Sequence, residues 1–153
     1  MPITILANPD ASATNTLTIK PAAATTVTLN GSNANAIIRL NGADYVTIDG
    51  SNNGTNTRDL TIQNNNTSGS SVVWIGSVSV TDGATNNTIK NCKIQGGANT
   101  VIGGILAGSA LTLGGPADAP NNNNTIDNNA IKTVQNGIYN NGNAASNDQN
   151  WVI

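Results

Sequence analysis

Acid–base or metal chemistry in this chain can rest on few side chains: eight aspartates, six lysines and arginines, one cysteine, and no histidine or glutamate. Catalysis by carboxylates needs two positioned groups whose pKa values are held apart. Asp10, Asp44, Asp49, Asp59, Asp82, Asp118, Asp127 and Asp148 fall mostly in turn-like segments. Asp49 and Asp82 come closest to sharing a column and are the candidate pair for a metal. Asp49 lies three residues past Val46 and Asp82 four past Val78, so their alignment is offset, and no second partner is evident. A turn aspartate bonding its own backbone accounts for the same residues. Arg39 and Arg58 lack an accompanying cluster of carboxylates and read as solvated charges. Cys92 has no histidine to activate it and reads as a small packed side chain. The oxygen-rich turn Asp49-Gly50-Ser51-Asn52-Asn53 is where a structural Ca²⁺ could sit, although it is neither an EF-hand loop nor a nonapeptide repeat. An Asx turn explains it with fewer assumptions. No catalytic residue and no cofactor is assigned.

Composition narrows the classes further. The 153 residues make one domain. Only 9% are charged and the formal net charge is −2, so solubility rests on neutral Asn and Thr. Six scattered basic residues give no footprint for nucleic acid and no match to an anionic membrane. No apolar run is long enough to span a bilayer. A lone cysteine excludes an internal disulfide. Met1-Pro2-Ile3 lacks signal-peptide character, which is expected of a processed chain or of a segment from a longer protein. Sequons begin at Asn30, Asn53, Asn65, Asn86 and Asn123, but chance alone supplies them in so Asn- and Thr-rich a chain.

The elements that must carry these side chains are short strands recurring in a fixed order. Series A reads Leu17-Thr18-Ile19, Val46-Thr47-Ile48, Val78-Ser79-Val80 and Leu111-Thr112-Leu113. Series B reads Val27-Thr28-Leu29, Leu60-Thr61-Ile62, Asn87-Thr88-Ile89 and Asn124-Thr125-Ile126. Series C reads Ile37-Ile38-Arg39-Leu40, Val72-Val73-Trp74-Ile75, Gly104-Ile105-Leu106-Ala107 and Gly137-Ile138-Tyr139. The period is about thirty residues, the mark of a solenoid. It predicts coils over 17–40, 46–75, 78–107 and 111–140. Alternation within each phrase sends the apolar residues inward and Thr outward. The outward columns become Thr18, Thr47, Ser79, Thr112 and Thr28, Thr61, Thr88, Thr125. In series C, Trp74 and Tyr139 take equivalent places flanking Leu106. Outward, they would form an aromatic stripe able to bind a saccharide; shifted by one residue, they would be core. Tyr45 and Trp151 complete the aromatic set. The Thr columns also raise an ice-binding reading, against which stands the single Thr per strand; solvent-facing strand propensity explains it as well. Inserted loops are expected at 95–100 and 114–124.

Two segments carry a family resemblance. Thr88-Ile89-Lys90-Asn91-Cys92-Lys93-Ile94 and Thr125-Ile126-Asp127-Asn128-Asn129-Ala130-Ile131 resemble the asparagine-bearing repeat of right-handed parallel β-helices of pectin lyase-like architecture. Thr61-Ile62-Gln63-Asn64 is a shorter version. The resemblance implies an all-β, right-handed parallel β-helix of four to five coils with three short strands each. It also implies a stacked asparagine ladder at Asn64, Asn91 and Asn128. Many proteins of that architecture bind or cleave acidic polysaccharides, with Ca²⁺ held by clustered acids and an Arg as base in the lyases. The clustered acids are missing here. The texture of Leu40-Asn41-Gly42-Ala43-Asp44-Tyr45-Val46-Thr47-Ile48-Asp49-Gly50 is similar to repeat regions of Bacteroidetes-type secreted surface proteins. Those resemblances imply an extracellular or cell-surface, non-catalytic structural or adhesin module. Its expected partners are other coils, either flanking ones of a parent protein or a second copy end to end in a filament. A polysaccharide partner, bound or cleaved, is the alternative.

Overall fold

The computed structural model describes residues 2–145 and 147–153; Met1 lies outside the described residues. The chain opens on β1 (Ile3–Leu6). The first coil is β2 (Leu17–Ile19), β3 (Val27–Gly31) and β4 (Ile38–Asn41). The second is β5 (Val46–Asp49), β6 (Leu60–Asn64) and β7 (Ser71–Ser77). The third is β8 (Thr88–Lys90), β9 (Cys92–Gly96) and β10 (Gly103–Ser109). The fourth is β11 (Thr125–Asp127), β12 (Ala130–Lys132) and β13 (Asn136–Asn140). Every strand pairs in parallel with the strand one coil away. Sheet A is β2-β5-β8-β11, sheet B is β3-β6-β9-β12, and sheet C is β1-β4-β7-β10-β13. The chain is an all-β parallel solenoid with three strands per coil and no helix among the described residues.

Hydrophobic columns run through the interior because in-register pairing places like positions above one another. Ile19, Ile48, Ile89 and Ile126 form the column of sheet A. Leu29, Ile62, Ile94 and Ile131 form that of sheet B. Ile38, Val73, Ile105 and Ile138 form that of sheet C. Strands in such a sheet stand about 4.8 Å apart, so each branched side chain meets its neighbours above and below at van der Waals distance.

Series C lies where the repeat places it, but series A and B differ in the last two coils. Val78-Ser79-Val80 and Leu111-Thr112-Leu113 are not strands of sheet A. They lie in excursions between sheets C and A, where Val80 is 81% and Leu111 78% exposed. Val78 N–H donates to Asp82 O, closing a small turn. The places in sheet A belong to Thr88-Ile89 and Thr125-Ile126, and those in sheet B to Cys92-Lys93-Ile94 and Ala130-Ile131-Lys132. The third and fourth repeats therefore start at β8 and β11, not at Val78 and Leu111. The outward columns change accordingly: Thr18, Thr47, Thr88 and Thr125 form one unbroken Thr ladder, and sheet B carries Thr28, Thr61, Lys93 and Ala130.

This assignment has a direct check. Ile89→Ala opens a cavity in a fully buried column and should cost about 2–5 kcal/mol, whereas Val80→Ala should stay within about 0.5 kcal/mol. Urea unfolding midpoints of the two variants distinguish the structure from the simple repeat, which makes Val80 core.

Candidate functional site

The richest cluster of polar side chains lies at the bend between sheets A and B. Asn91 separates β8 from β9, and Asn128 follows β11. Both adopt left-handed backbone, with φ of 57° and 48°. Asparagine tolerates that conformation, and its amide both donates and accepts. Asn128 Nδ2 donates to Asn91 Oδ1 at 2.7 Å, and Asn91 Nδ2 donates to Asp49 Oδ1 at 2.8 Å. The Arg58 guanidinium donates through Nη2 to Asn128 Oδ1 and through Nε to Asn128 O, the latter at 2.7 Å. A relay thus runs from a cation through two amides to a carboxylate. Asp49 also accepts from Ser51 N and pairs with Lys90 Nζ at 3.4 Å. Burial pushes the Asp49 pKa up, but the bonds from Asn91 and Ser51 and the Lys90 ammonium outweigh it, leaving the carboxyl below its ordinary value.

Arg58 reaches Asn128 because the connection from 50 to 59 folds along the stack. Asn52 Nδ2 donates to Thr25 O in the first coil. Thr55 O accepts from Asn91 and Asn56 O accepts from Asn128. One loop thereby straps four successive coils. Gly50 permits the close approach, since a Cβ there would fall 1.9 Å from Asn91 O.

Asn64 belongs elsewhere. It lies at the end of β6, fully buried, accepting from Asn33 N and donating to Asn33 O and Ser71 O. Of the three residues expected to stack, the structure joins Asn91 to Asn128 and places Asn64 at the bend between sheets B and C. A second ladder, only faintly signalled by residue pattern, occupies the bend between sheets C and A. Val46 N–H donates to Asn87 Oδ1, and Asn87 N–H donates to Asn124 Oδ1, each at 2.9 Å. Asn87 Nδ2 donates to Ala43 O and Asn124 Nδ2 to Ala84 O. Asn121 Oδ1 accepts from Ala84 N. All three asparagines are buried. The signal for Asn87 and Asn124 is the Asn that opens Asn87-Thr88-Ile89 and Asn124-Thr125-Ile126, at a position that is apolar in the earlier coils.

The other candidates are dispersed. Asp82 is not brought to Asp49; it lies in the excursion after β7, near Asp44, whose carboxylate accepts from Thr85 N and Oγ1. Burial, with the Asp44 charge adding to it, raises the Asp82 pKa. Among the described residues, no three His, Cys, Asp or Glu side chains converge as metal ligands would. Cys92 is buried in the core, and burial together with the Asp49 charge pushes its thiol up to about 12. Trp74, Leu106 and Tyr139 do form one column on the outer face of sheet C, with Arg39 above Trp74 and its guanidinium carbon 4.2 Å from the ring centroid. Trp74 is only 2% exposed, enclosed by Ala36, Leu106, Ile102 and Leu113, so its ring has no free face for a sugar. Trp151 packs against the interior core and donates through Nε1 to Asn121 O at 2.6 Å. A groove of about 440 Å³ runs over sheet B, lined by Thr61, Lys93, Gln95, Ala130, Ile131 and Lys132. The chain matches no family model, no curated protein and no solved structure. No described helix is long and apolar enough to cross a membrane.

The Asp44–Asp82 pair gives a pH prediction. A carboxyl whose folded pKa is raised binds its proton more tightly in the native state, so stability falls as pH rises through the carboxylate range. Asp82→Asn should therefore raise Tm at neutral pH, and the gain should vanish at a pH below both the folded and unfolded pKa values. Thermal melts of the variant and the parent chain across that range check it.

Proposed function

We propose that this chain is a non-catalytic structural or adhesive module of a secreted or cell-surface bacterial protein, with a right-handed winding of the pectin lyase-like type. The αL asparagine bends at Asn91 and Asn128 support the architectural part. Such bends are what the resemblance to asparagine-bearing repeats implies at these two positions. One observation carries the functional part: the polar side chains that could do chemistry are spent on holding coils together. Asp49, Asn91, Asn128 and Arg58 bond one another rather than converging on a vacant pocket.

The partner in this reading is another stack of coils. Among the described residues, the first-coil face leaves the edges of β1, β2 and β3 unpaired and exposes Leu6 and Leu17 around a hollow of about 280 Å³ that also reaches Ile5, Ala43 and Val46. Parallel sheet edges beside an open core accept further strands in the same register. Flanking coils of a parent protein or a second copy placed end to end supply them. Light scattering and negative-stain microscopy over a wide concentration range should show growth along the rod axis. Replacing Leu6 and Leu17 with Lys should suppress it; a strictly monomeric chain at all concentrations would overturn the end-to-end form of the proposal.

A polysaccharide-binding role is the second reading, favoured by the groove over sheet B. Lys93 and Lys132 are exposed there beside Gln95 and Thr61, with no carboxylate among the lining residues. Binding through it should retard the chain in gels containing an acidic but not a neutral polysaccharide. The retardation should be lost in Lys93→Ser/Lys132→Ser.

A further inference from the structure

We propose that Asn53-Gly54, at the tip of the strap, is a self-modifying site at which the Asn53 side chain cyclises onto the backbone and opens to a carboxylate. Five Asn-Gly pairs occur in the chain, at Asn30, Asn41, Asn53, Asn136 and Asn141. They share the same intrinsic chemistry. Loss of the Gly N–H proton to hydroxide or a buffer base lets that nitrogen attack the Asn Cγ, forming a C–N bond and a tetrahedral intermediate with negative charge on Oδ1. Collapse of the intermediate expels Nδ2, protonated by solvent, as ammonia and leaves a five-membered succinimide. Water then opens either carbonyl, giving an aspartyl or isoaspartyl residue.

The surroundings single out Asn53. Its Oδ1 accepts from the Thr55 hydroxyl at 2.6 Å, the Ser51 hydroxyl at 2.9 Å and Thr55 N–H at 3.1 Å. The Thr57 hydroxyl stands 3.2 Å away, with its proton drawn to Asp59 at 2.6 Å. Donors gathered on the oxygen that becomes negative form an oxyanion hole, and they bind the intermediate more strongly than the neutral amide. Neither the Gly54 N–H nor its surroundings obstruct the attack: the nitrogen donates to no group among the described residues, and nothing lies within 4 Å of the position a Cβ would take. Gly54 already holds φ +75°, outside any sheet. The other pairs lack one part or the other. Asn30-Gly31 and Asn136-Gly137 lie inside β3 and β13. Gly42 N–H is engaged by Gly76 O. Asn141 uses its Nδ2 on Gly114 O, and among the described residues no donor reaches its Oδ1. Conversion at Asn53 would add a negative charge to a loop that already holds Asp59 and starts beside Asp49. It would also rebuild the backbone two residues before Thr55 O and three before Asn56 O, which bind the asparagine ladder.

The test is peptide mapping by mass spectrometry of the intact chain aged at mildly alkaline pH, folded and in concentrated urea. The folded chain should gain one mass unit at Asn53 ahead of the other four pairs, through a species lacking the mass of ammonia, with isoaspartyl product present. In urea the five pairs should converge. Thr55→Val should slow the folded reaction about three- to tenfold, the worth of one hydrogen bond. Thr55→Ser should restore it. Asn53 ageing no faster than Asn141 in the folded parent chain would overturn the proposal without recourse to any variant. So would a Thr55→Val rate equal to the parent's, or a preference for Asn53 that persists unchanged in urea.

Discussion

Each strand of this solenoid pairs with the strand one coil away, and that single constraint sets nearly everything else. Within the sheets, backbone groups satisfy one another at the strand spacing, and apolar side chains stack into columns. At the bends the chain must turn and the backbone ladder breaks. A buried N–H or C=O left unpaired there costs about 1–3 kcal/mol. Asparagine answers because one side chain carries an acceptor and two donors at nearly the reach of a peptide group. Asn87 shows the substitution directly: its Oδ1 takes Val46 N–H and its Nδ2 supplies Ala43 O, so a side chain stands in for a missing neighbouring peptide.

The bend between sheets A and B uses the same device in a polarised form. Arg58 donates into Asn128, Asn128 into Asn91, and Asn91 into Asp49. Every donor in the chain points toward the carboxylate, so each amide is polarised in the same sense, which strengthens successive hydrogen bonds. The charges at the two ends also do what neutral residues could not: they fix the direction of both amides. Lys90 offsets the remaining charge of Asp49, so the carboxylate is not left alone at the partly buried end. The strap supplies Arg58 from the second coil to the fourth, coupling coils that no single strand pair connects.

The part of this legible in the sequence is the part governed by apolar columns. Series C could be read to the residue, because Ile38, Val73, Ile105 and Ile138 keep the inward position apolar and the adjacent phrases carry no competing pattern. Sheet A could not be followed past its second strand. Val78-Ser79-Val80 offers a better alternation than Asn87-Thr88-Ile89, yet Val80 points to solvent and Asn87 to the interior. Alternation measures hydrophobicity, and a buried amide with all its bonds made looks polar to it. The same blindness explains Asn64, which shares the local words of the ladder residues but ends a strand of sheet B. The role of Arg58 was beyond reach for another reason. Its partner lies seventy residues on, and only the path of the loop brings them together.

Where the loops go also decides which surfaces remain for a partner. The strand pattern left Trp74 open as an outward platform or as core; its position is outward, but Ala36, Ile102 and Leu113 pack on its cluster over sheet C and it is buried. That cover leaves the outer faces of sheets A and B as the regular open surfaces, and they differ in charge. On sheet A, Asp49, Lys90 and Asp127 alternate beside the Thr ladder, so charges of both signs lie one coil apart. On sheet B, Lys93 and Lys132 occupy neighbouring columns, Lys132 in line with Gln63 and Gln95, and no carboxylate shares those columns. Two faces built on one repeat thus present a hydroxyl lattice of mixed charge and a cationic amide strip. A partner chosen by charge would meet sheet B, and one chosen by shape or continued strand pairing would meet the edges at the end of the stack.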